Sequence, residues 1–116
     1  MENIKYLNIR PNLNVKDLTA SVDFYNKIIG LNILHFDEQM GFALLAKQGA
    51  EVALLEQKVF SPTGAYLYVN NVDEFYMHCK KLDVDISNEL TEHAHGTKDF
   101  VVSDPDGNQI AIGQRI

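Results

Sequence analysis

Residues 15–28 read VKDLTASVDFYNKI, and residues 69–82 read VNNVDEFYMHCKKL. A shift of 54 positions (69 minus 15) superimposes the two segments and places Val15 on Val69. In each segment a polar residue able to cap a helix precedes apolar residues at the spacing of an amphipathic helix. The chain therefore contains two copies of one structural unit.

Runs of alternating apolar and polar residues surround both helices, which is the pattern of half-buried β-strands. Strands are predicted near residues 5–15, 31–37, 41–47, 51–57, 66–69, 85–91, 97–103 and 108–115. The segment Ser61-Pro62-Thr63-Gly64 separates the units, so module one spans about residues 1–60 and module two about residues 61–116. We therefore predict an α+β domain, residues 1–116, whose two β-α-β-β-β modules place two half-sheets around a cleft.

Composition excludes several classes of function. The net charge of −6 does not suit a nucleic-acid partner, which requires clustered Lys and Arg, and no apolar stretch reaches the length of a membrane span. The single Cys79 excludes an internal disulfide and is consistent with a reducing compartment. We expect a cytoplasmic protein that contacts neither nucleic acid nor membrane.

Strand parity divides the predicted sheets into two faces. The face that the helices should cover carries Leu13, Val15, Ala53, Leu55, Ala65, Leu67, Val69, Ile110 and Ile112. The opposite face carries Arg10, Asn12, Asn14, Val52, Leu54, Glu56, Gly64, Tyr66, Tyr68, Gln109, Ala111 and Gly113. Its mixture of aromatic, polar and small residues is typical of a ligand cleft. A solvated sheet face or a dimer contact is the alternative.

Two motifs carry a resemblance to a known family. The run Pro11-x-Leu13-x-Val15-x-Asp17-Leu18-x-x-Ser21-x-x-Phe24-Tyr25-x-x-x-x-Gly30-Leu31, together with Asp104-Pro105-Asp106-Gly107-Asn108-x-Ile110, resembles the glyoxalase/bleomycin-resistance/dioxygenase superfamily, the vicinal oxygen chelate fold. The resemblance implies that the strands curl into a half-open barrel sheet with the helices on its outer face. It also implies a homodimer.

Enzymes of that superfamily hold a divalent metal with His and Glu side chains from four strands. The resemblance places those positions on Arg10, Leu54, Gly64 and Ala111, none of which supplies an imidazole or a carboxylate. A register shift of two would bring Glu56 to the place of Leu54. We therefore expect no metal, no other cofactor and no catalytic residue, although a metal-dependent lyase, isomerase or dioxygenase stays as the alternative.

Within the superfamily, the chain most resembles the metal-free bleomycin-resistance proteins, which sequester a drug. Residues 95–100, HGTKDF, resemble their Trp-Gly-x-Arg-Glu-Phe segment, which adds His95 and Lys98 to the expected cleft. Pro11 matches the proline near which those proteins bend the N-terminal strand toward a partner subunit. The resemblance thus implies a dimer that exchanges this strand.

The leading hypothesis is a non-catalytic protein that binds a small molecule. Its expected cleft residues are Arg10, Asn12, Leu54, Glu56, Tyr66, Tyr68, His95, Lys98, Gln109 and Ala111. For Arg10 we consider a salt bridge to Glu56, exposure to solvent, or an anchor for a ligand anion. His93 and His95 lack a third metal ligand in the sequence. A structural dimer without a small ligand is the second alternative.

Overall fold

Each repeated segment forms a helix that follows one strand and precedes three more. The protein is described here by a computed structural model of residues 1–116. The elements are β1 (Asn12–Val15), α1 (Leu18–Asp23) with a π-helical turn (Phe24–Ile28), β2 (Asn32–Asp37), β3 (Phe42–Lys47), β4 (Ala50–Glu56), β5 (Gly64–Tyr68), α2 (Val72–Lys81), β6 (Ile86–His93), β7 (Thr97–Ser103) and β8 (Gln109–Arg115).

Both helices begin where the sequence predicts. The Asp17 carboxylate accepts a hydrogen bond from the Ala20 amide at 3.2 Å, and the Asn71 side chain accepts one from the Glu74 amide at 3.1 Å. These bonds satisfy amide groups that have no partner within the first turn of a helix. The first helix ends at Gly30, whose φ of 90° suits a residue without a Cβ.

The strands form two four-stranded sheets with the orders β1-β4-β3-β2 and β5-β8-β7-β6. In each sheet the first strand of the module pairs in parallel with the last strand, and the other pairs are antiparallel. No ladder joins the two sheets, so the barrel is not closed. The prediction of an α+β fold with two β-α-β-β-β modules is confirmed.

A single apolar core runs through both modules. Its cluster of 17 buried residues includes Leu13 and Tyr25 from module one and Val72 and Phe100 from module two. A polar contact joins the modules at the same place, because the Tyr25 hydroxyl donates to the buried Asp104 carboxylate at 2.7 Å. Burial and the Asp104 carboxylate raise the pKa of Tyr25 far above its ordinary value, so the phenol keeps its proton.

The prediction of a strand from residue 5 is wrong, since β1 begins only at Asn12. Residues 1–10 are exposed and belong to no sheet; Leu7 and Ile9 are 89% and 90% exposed. Pro11 lacks an N–H group and so cannot donate to a β-ladder. The chain N-terminal to it forms an apolar arm outside the first sheet.

The predicted parity of β4 is also wrong. Leu13 lies opposite Leu54 and Val15 opposite Glu56, so Leu54 and Glu56 belong to the face that α1 covers. Leu54 is fully buried, and the Glu56 carboxylate accepts a hydrogen bond from the Leu18 amide at 2.9 Å. Residues 52–55 are apolar at every position, so the sequence does not show which of their side chains face α1. Only the pairing of β4 with β1 decides this.

Neither helix combines the length with the apolar character that a membrane-spanning helix requires.

Candidate functional site

The side of the second sheet that α2 does not cover carries an aromatic pair. In β5, Tyr66 and Tyr68 are 40% and 48% exposed, and their rings lie 4.6 Å apart. The strand register places Ala111 beside Tyr66 and Gly113 beside Tyr68. We call this surface the open face of the second sheet; it comprises Tyr66, Tyr68, Asp99, Ala111, Gly113 and Arg115.

Gly113 lets the two sides of this face touch. Asp99 in β7 is the other neighbour of Gly113, and the Tyr66 hydroxyl crosses above the glycine to donate to Asp99 at 2.7 Å. A Cβ at position 113 would lie 1.9 Å from the Tyr66 oxygen and 2.9 Å from the Asp99 Cβ. Any larger residue at this position would therefore break the Tyr66–Asp99 bond.

Asp99 also bonds to a histidine. His93 Nε2 lies 2.7 Å from the second Asp99 oxygen, and the ring of His95 stacks on that of His93 with centroids 5.2 Å apart. Burial alone would raise the pKa of Asp99, but the bonds from Tyr66 and His93 outweigh it and lower that pKa. Burial, followed by the bond to Asp99, raises the pKa of Tyr66 to about 12. At neutral pH the pair is thus a phenol donating to a carboxylate.

Arg115 lies over the second tyrosine. Its guanidinium carbon is 3.9 Å from the centroid of the Tyr68 ring, which is the geometry of a cation–π contact. Arg115 takes part in none of the ion pairs of the molecule. The open face therefore presents a cation that forms no ion pair.

Gln109 and Ala111 occupy the other end of the face, as predicted from the sequence. The Gln109 amide is already bonded, since it accepts from the Ser87 hydroxyl and donates to the Ser103 hydroxyl, both at 2.6 Å. Ala111 is half-buried and adds little bulk beside Tyr66. The Gln109 amide thus bonds to protein groups at this end of the open face. At the other end, the Arg115 guanidinium forms no ion pair.

The structure moves two further predicted residues away from the open face. Lys98 points to the opposite side of β7, where its ammonium group bonds to the Asp73 carboxylate of α2 at 2.8 Å. The likeness of residues 95–100 to a family segment did not reveal on which side of β7 the Lys98 side chain lies. Arg10 lies 3.9 Å from the Glu51 carboxylate, so of the three alternatives considered for it, the salt bridge to Glu56 is not formed. Asn12 is exposed on the first sheet, and His95 flanks the open face through His93.

A cavity of about 800 Å³ lies between the modules. The β3–β4 turn with Gln48 and Gly49 forms part of its wall, and Tyr66 and Tyr68 form another part. Ile9 of the N-terminal arm and the adjoining Pro11 also line it. Of the residues expected in a cleft, only the two tyrosines reach this cavity, so they connect it to the open face.

The positions that would hold a divalent metal do not fit one. With the corrected register, Ala53 rather than Leu54 is the counterpart of Ala111, because Asn12 pairs with Ala53 as Tyr66 pairs with Ala111. An alanine offers no donor atom, and neither does Gly64. No three His, Cys, Asp or Glu side chains are grouped to hold a metal ion.

Sequence reasoning missed the roles of Gly113, Asp99, His93 and Arg115. The alternation of β8 did place Gly113 on the same face as Tyr66 and Tyr68. A glycine on that face leaves room for a tyrosine side chain to cross it, so the sequence did contain a signal for this contact. The stack of Arg115 on Tyr68 had no such signal, because it depends on the rotamer of a long, exposed side chain.

Comparisons with known proteins match nearly the whole chain. The model of the Glyoxalase/Bleomycin resistance protein/Dioxygenase superfamily matches residues 4–112. Bleomycin resistance proteins of Geobacillus stearothermophilus and Staphylococcus aureus are each 31% identical over 127 residues, covering 91% of this chain and 95% of theirs.

Solved structures show the same fold. TioX from Micromonospora sp. ML1 has a TM-score of 0.81 at 20% identity, covering 94% of this chain and 98% of its own. The bleomycin resistance determinant encoded on transposon Tn5 has a TM-score of 0.81 at 20% identity, covering 93% and 97%. Lactoylglutathione lyase from Agrobacterium tumefaciens has a TM-score of 0.81 at 16% identity, covering 91% of both chains. One backbone thus carries proteins with different names, so the fold alone does not decide the function.

Proposed function

The chain belongs to the glyoxalase/bleomycin resistance protein/dioxygenase superfamily, and on that premise we propose that it binds a small molecule and sequesters it unchanged. The observation that carries the proposal is the open face of the second sheet. It joins exposed aromatic surface to an unpaired cation, beside a cavity of about 800 Å³. These features bind flat organic molecules.

Sequestration is favoured over catalysis by the side chains at the metal positions. Ala53, Gly64 and Ala111 cannot polarise a substrate oxygen or hold an ion that would do so. The 31% identity to proteins named bleomycin resistance protein supports binding in the same way. Because His95 stands where those proteins carry Trp, a flat ligand loses stacking area there. The ligand of this chain therefore differs in part from that of its relatives.

Titration calorimetry with metal-free bleomycin and with a panel of aromatic antibiotics tests the proposal. We expect at least one compound to bind, to be recovered intact by mass spectrometry, and to bind equally well after the protein is treated with a chelator. Tyr68→Ala should weaken binding by about five- to tenfold, since an aromatic contact contributes about 1 kcal/mol. Met77→Ala, on the exposed side of α2, is the control and should bind as the unaltered chain does.

Two results would overturn the proposal. Loss of binding on chelation, with a stoichiometric divalent metal in the purified protein, would favour the metal-dependent enzyme. Absence of binding across the panel, with the open face covered by a second subunit, would favour the structural dimer.

We propose further that the chain forms a homodimer by exchanging the arm of residues 1–10. The arm exposes Tyr6, Leu7 and Ile9 at 80%, 89% and 90%, which is a large apolar surface to leave in water. Sedimentation should show a dimer for the full chain and a monomer after deletion of residues 1–9. Point variants L7S and I9S should weaken the dimer without unfolding the core.

We also propose that residues 1–116 fold as one unit in the cytoplasm. The shared core and the Tyr25–Asp104 bond support a single cooperative transition on urea unfolding. Cys79 is buried, and burial raises the pKa of its thiol to about 11, so it suits a packed residue in a reducing compartment. Cell fractionation tests the location.

A further inference from the structure

Arg115 differs from Arg10, the other arginine of the chain, in having no carboxylate partner. Arg10 lies 3.9 Å from the Glu51 carboxylate, whereas Arg115 contacts the Tyr68 ring at 3.9 Å and forms no ion pair. This contact packs the guanidinium against the ring, and its N–H groups form no ion pair. An arginine held in this way loses little side-chain entropy when it binds an anion.

Polar side chains lie near Arg115. Thr97 lies directly opposite Arg115 across the β7–β8 ladder, and the Thr97 hydroxyl lies 2.8 Å from His95 Nε2. His93 stacks on His95, so hydroxyl, imidazole and guanidinium groups gather at one end of the sheet. This end of the open face therefore presents polar groups beside the guanidinium, which can only donate.

Asp99 is the one carboxylate that bonds to this cluster, and it does not reach Arg115. It lies in the row of Gly113, two residues along β8 from Arg115. Both of its oxygens are engaged, one by the Tyr66 hydroxyl and one by His93, each at 2.7 Å. Its charge is shared with those donors, and the guanidinium stays available to an incoming anion.

We infer that this end of the open face binds the anionic group of a flat aromatic ligand, with a carboxylate, phosphate or sulfonate on Arg115 and the ring system against Tyr66 and Tyr68. The inference rests on the proposed function, since it names the chemical class that the open face accepts. It also explains why an acidic protein keeps an unpaired arginine beside exposed aromatic rings.

Two dyes that differ in one anionic group test the inference. The probes are 8-anilinonaphthalene-1-sulfonate and its uncharged counterpart N-phenyl-1-naphthylamine, both of which fluoresce on leaving water. Arg115→Gln should weaken binding of the sulfonate about tenfold, which is about 1.4 kcal/mol, and change that of the uncharged dye less than twofold. Arg115→Lys should recover part of the sulfonate affinity. Lys81→Gln, which removes an exposed cation of α2 that forms no ion pair, is the control and should change neither dye.

Circular dichroism and thermal melting first establish that each variant is folded, and binding is then measured. The inference is overturned if Arg115→Gln leaves sulfonate binding unchanged, if it weakens both dyes alike, or if Lys81→Gln has the same effect. Tyr68→Ala separates this failure from failure of the proposed site. If Tyr68→Ala weakens the uncharged dye while Arg115→Gln changes nothing, the open face is a ligand site without an anion subsite. If Tyr68→Ala affects neither dye, both proposals fail.

Discussion

The turns that join the last two strands of each module are held in opposite ways. The β7–β8 turn is bonded into module one, where Asp104 accepts from the Tyr25 hydroxyl at 2.7 Å and the Asn108 amide donates to the Asn14 carbonyl at 2.9 Å. The β3–β4 turn around Gln48 makes no side-chain bond and lines the cavity instead. Duplication supplied two equivalent places, of which one is sealed by polar contacts and one is open.

The two uncovered sheet faces differ in the same direction. Tyr66 and Tyr68 stand where module one has Asn12 and Asn14, 54 positions earlier (66 minus 12). Gly113 stands where module one has Leu55, as their strand partners Tyr68 and Asn14 show. A bulky Leu55 would block the crossing that Gly113 permits. The two modules therefore share a backbone and differ in their side chains. The aromatic pair and the glycine that leaves room for its contact with Asp99 occur only in module two.

Asp104→Ala should have the largest effect, because it removes the contact that seals the modules. The buried carboxylate accepts bonds from Tyr25, from the Asn108 side chain and from two amides of its own turn. Leaving these donors unpaired should lower the free energy of unfolding by about 3–4 kcal/mol, as measured in urea. Asp106→Ala, in the same turn but less buried, should cost clearly less. Equal losses would mean that the turn as a whole, rather than Asp104, seals the modules.

Gly113→Ala should make the open face of the second sheet resemble the uncovered face of the first sheet. The added methyl group would overlap the Tyr66 hydroxyl, so the tyrosine must leave Asp99. We expect a loss of about 1–3 kcal/mol in stability and weaker ligand binding. Gly49→Ala is the control for stability, because a Cβ there meets no atom within 4 Å. An unchanged Tyr66 environment by NMR would contradict the expected clash.

Gln48→Gly should stabilise the open turn slightly. Gln48 has a φ of 55°, a left-handed conformation that costs a side chain about 1 kcal/mol but suits glycine. Against the added chain entropy of the unfolded glycine, we expect a gain of about 0.5 kcal/mol by urea unfolding. Lys47→Gly, in the neighbouring strand, should be destabilising. A loss for Gln48→Gly would show that the Gln48 side chain has a contact that compensates its backbone.

The smallest expected effect is on the stability of the protein at low pH. The pKa of Asp99 is lowered in the folded state, so its stabilisation is present above the ordinary aspartate pKa and is lost as the pH falls through the lowered value. The protein should therefore lose this stability below about pH 4. Asp99→Asn should flatten this limb of the curve of unfolding free energy against pH, and Tyr66→Phe should flatten it in part. A limb unchanged in Asp99→Asn would assign the acid sensitivity to other carboxylates.

The fold followed from the sequence because its signals are local and occur twice. Helix caps at Asp17 and Asn71, apolar spacing within each helix and the turn at Asp104 each depend on neighbouring residues. The face of β4 did not follow, since its apolar run has no alternation. The start of β1 was misplaced because the alternation of apolar and polar residues continues N-terminal to Pro11, where the chain pairs with no strand.

The sequence by itself determined the duplicated topology, the covered face of each helix and the absence of metal-binding side chains at three of the four expected positions, which are local properties of residue type and spacing. Only the tertiary structure decided that Ala53 is the fourth, that Tyr66 crosses Gly113 to Asp99 and that Arg115 lies unpaired on Tyr68. These facts depend on strand register and on the reach of long side chains between strands, and neither is encoded within a few residues of one position.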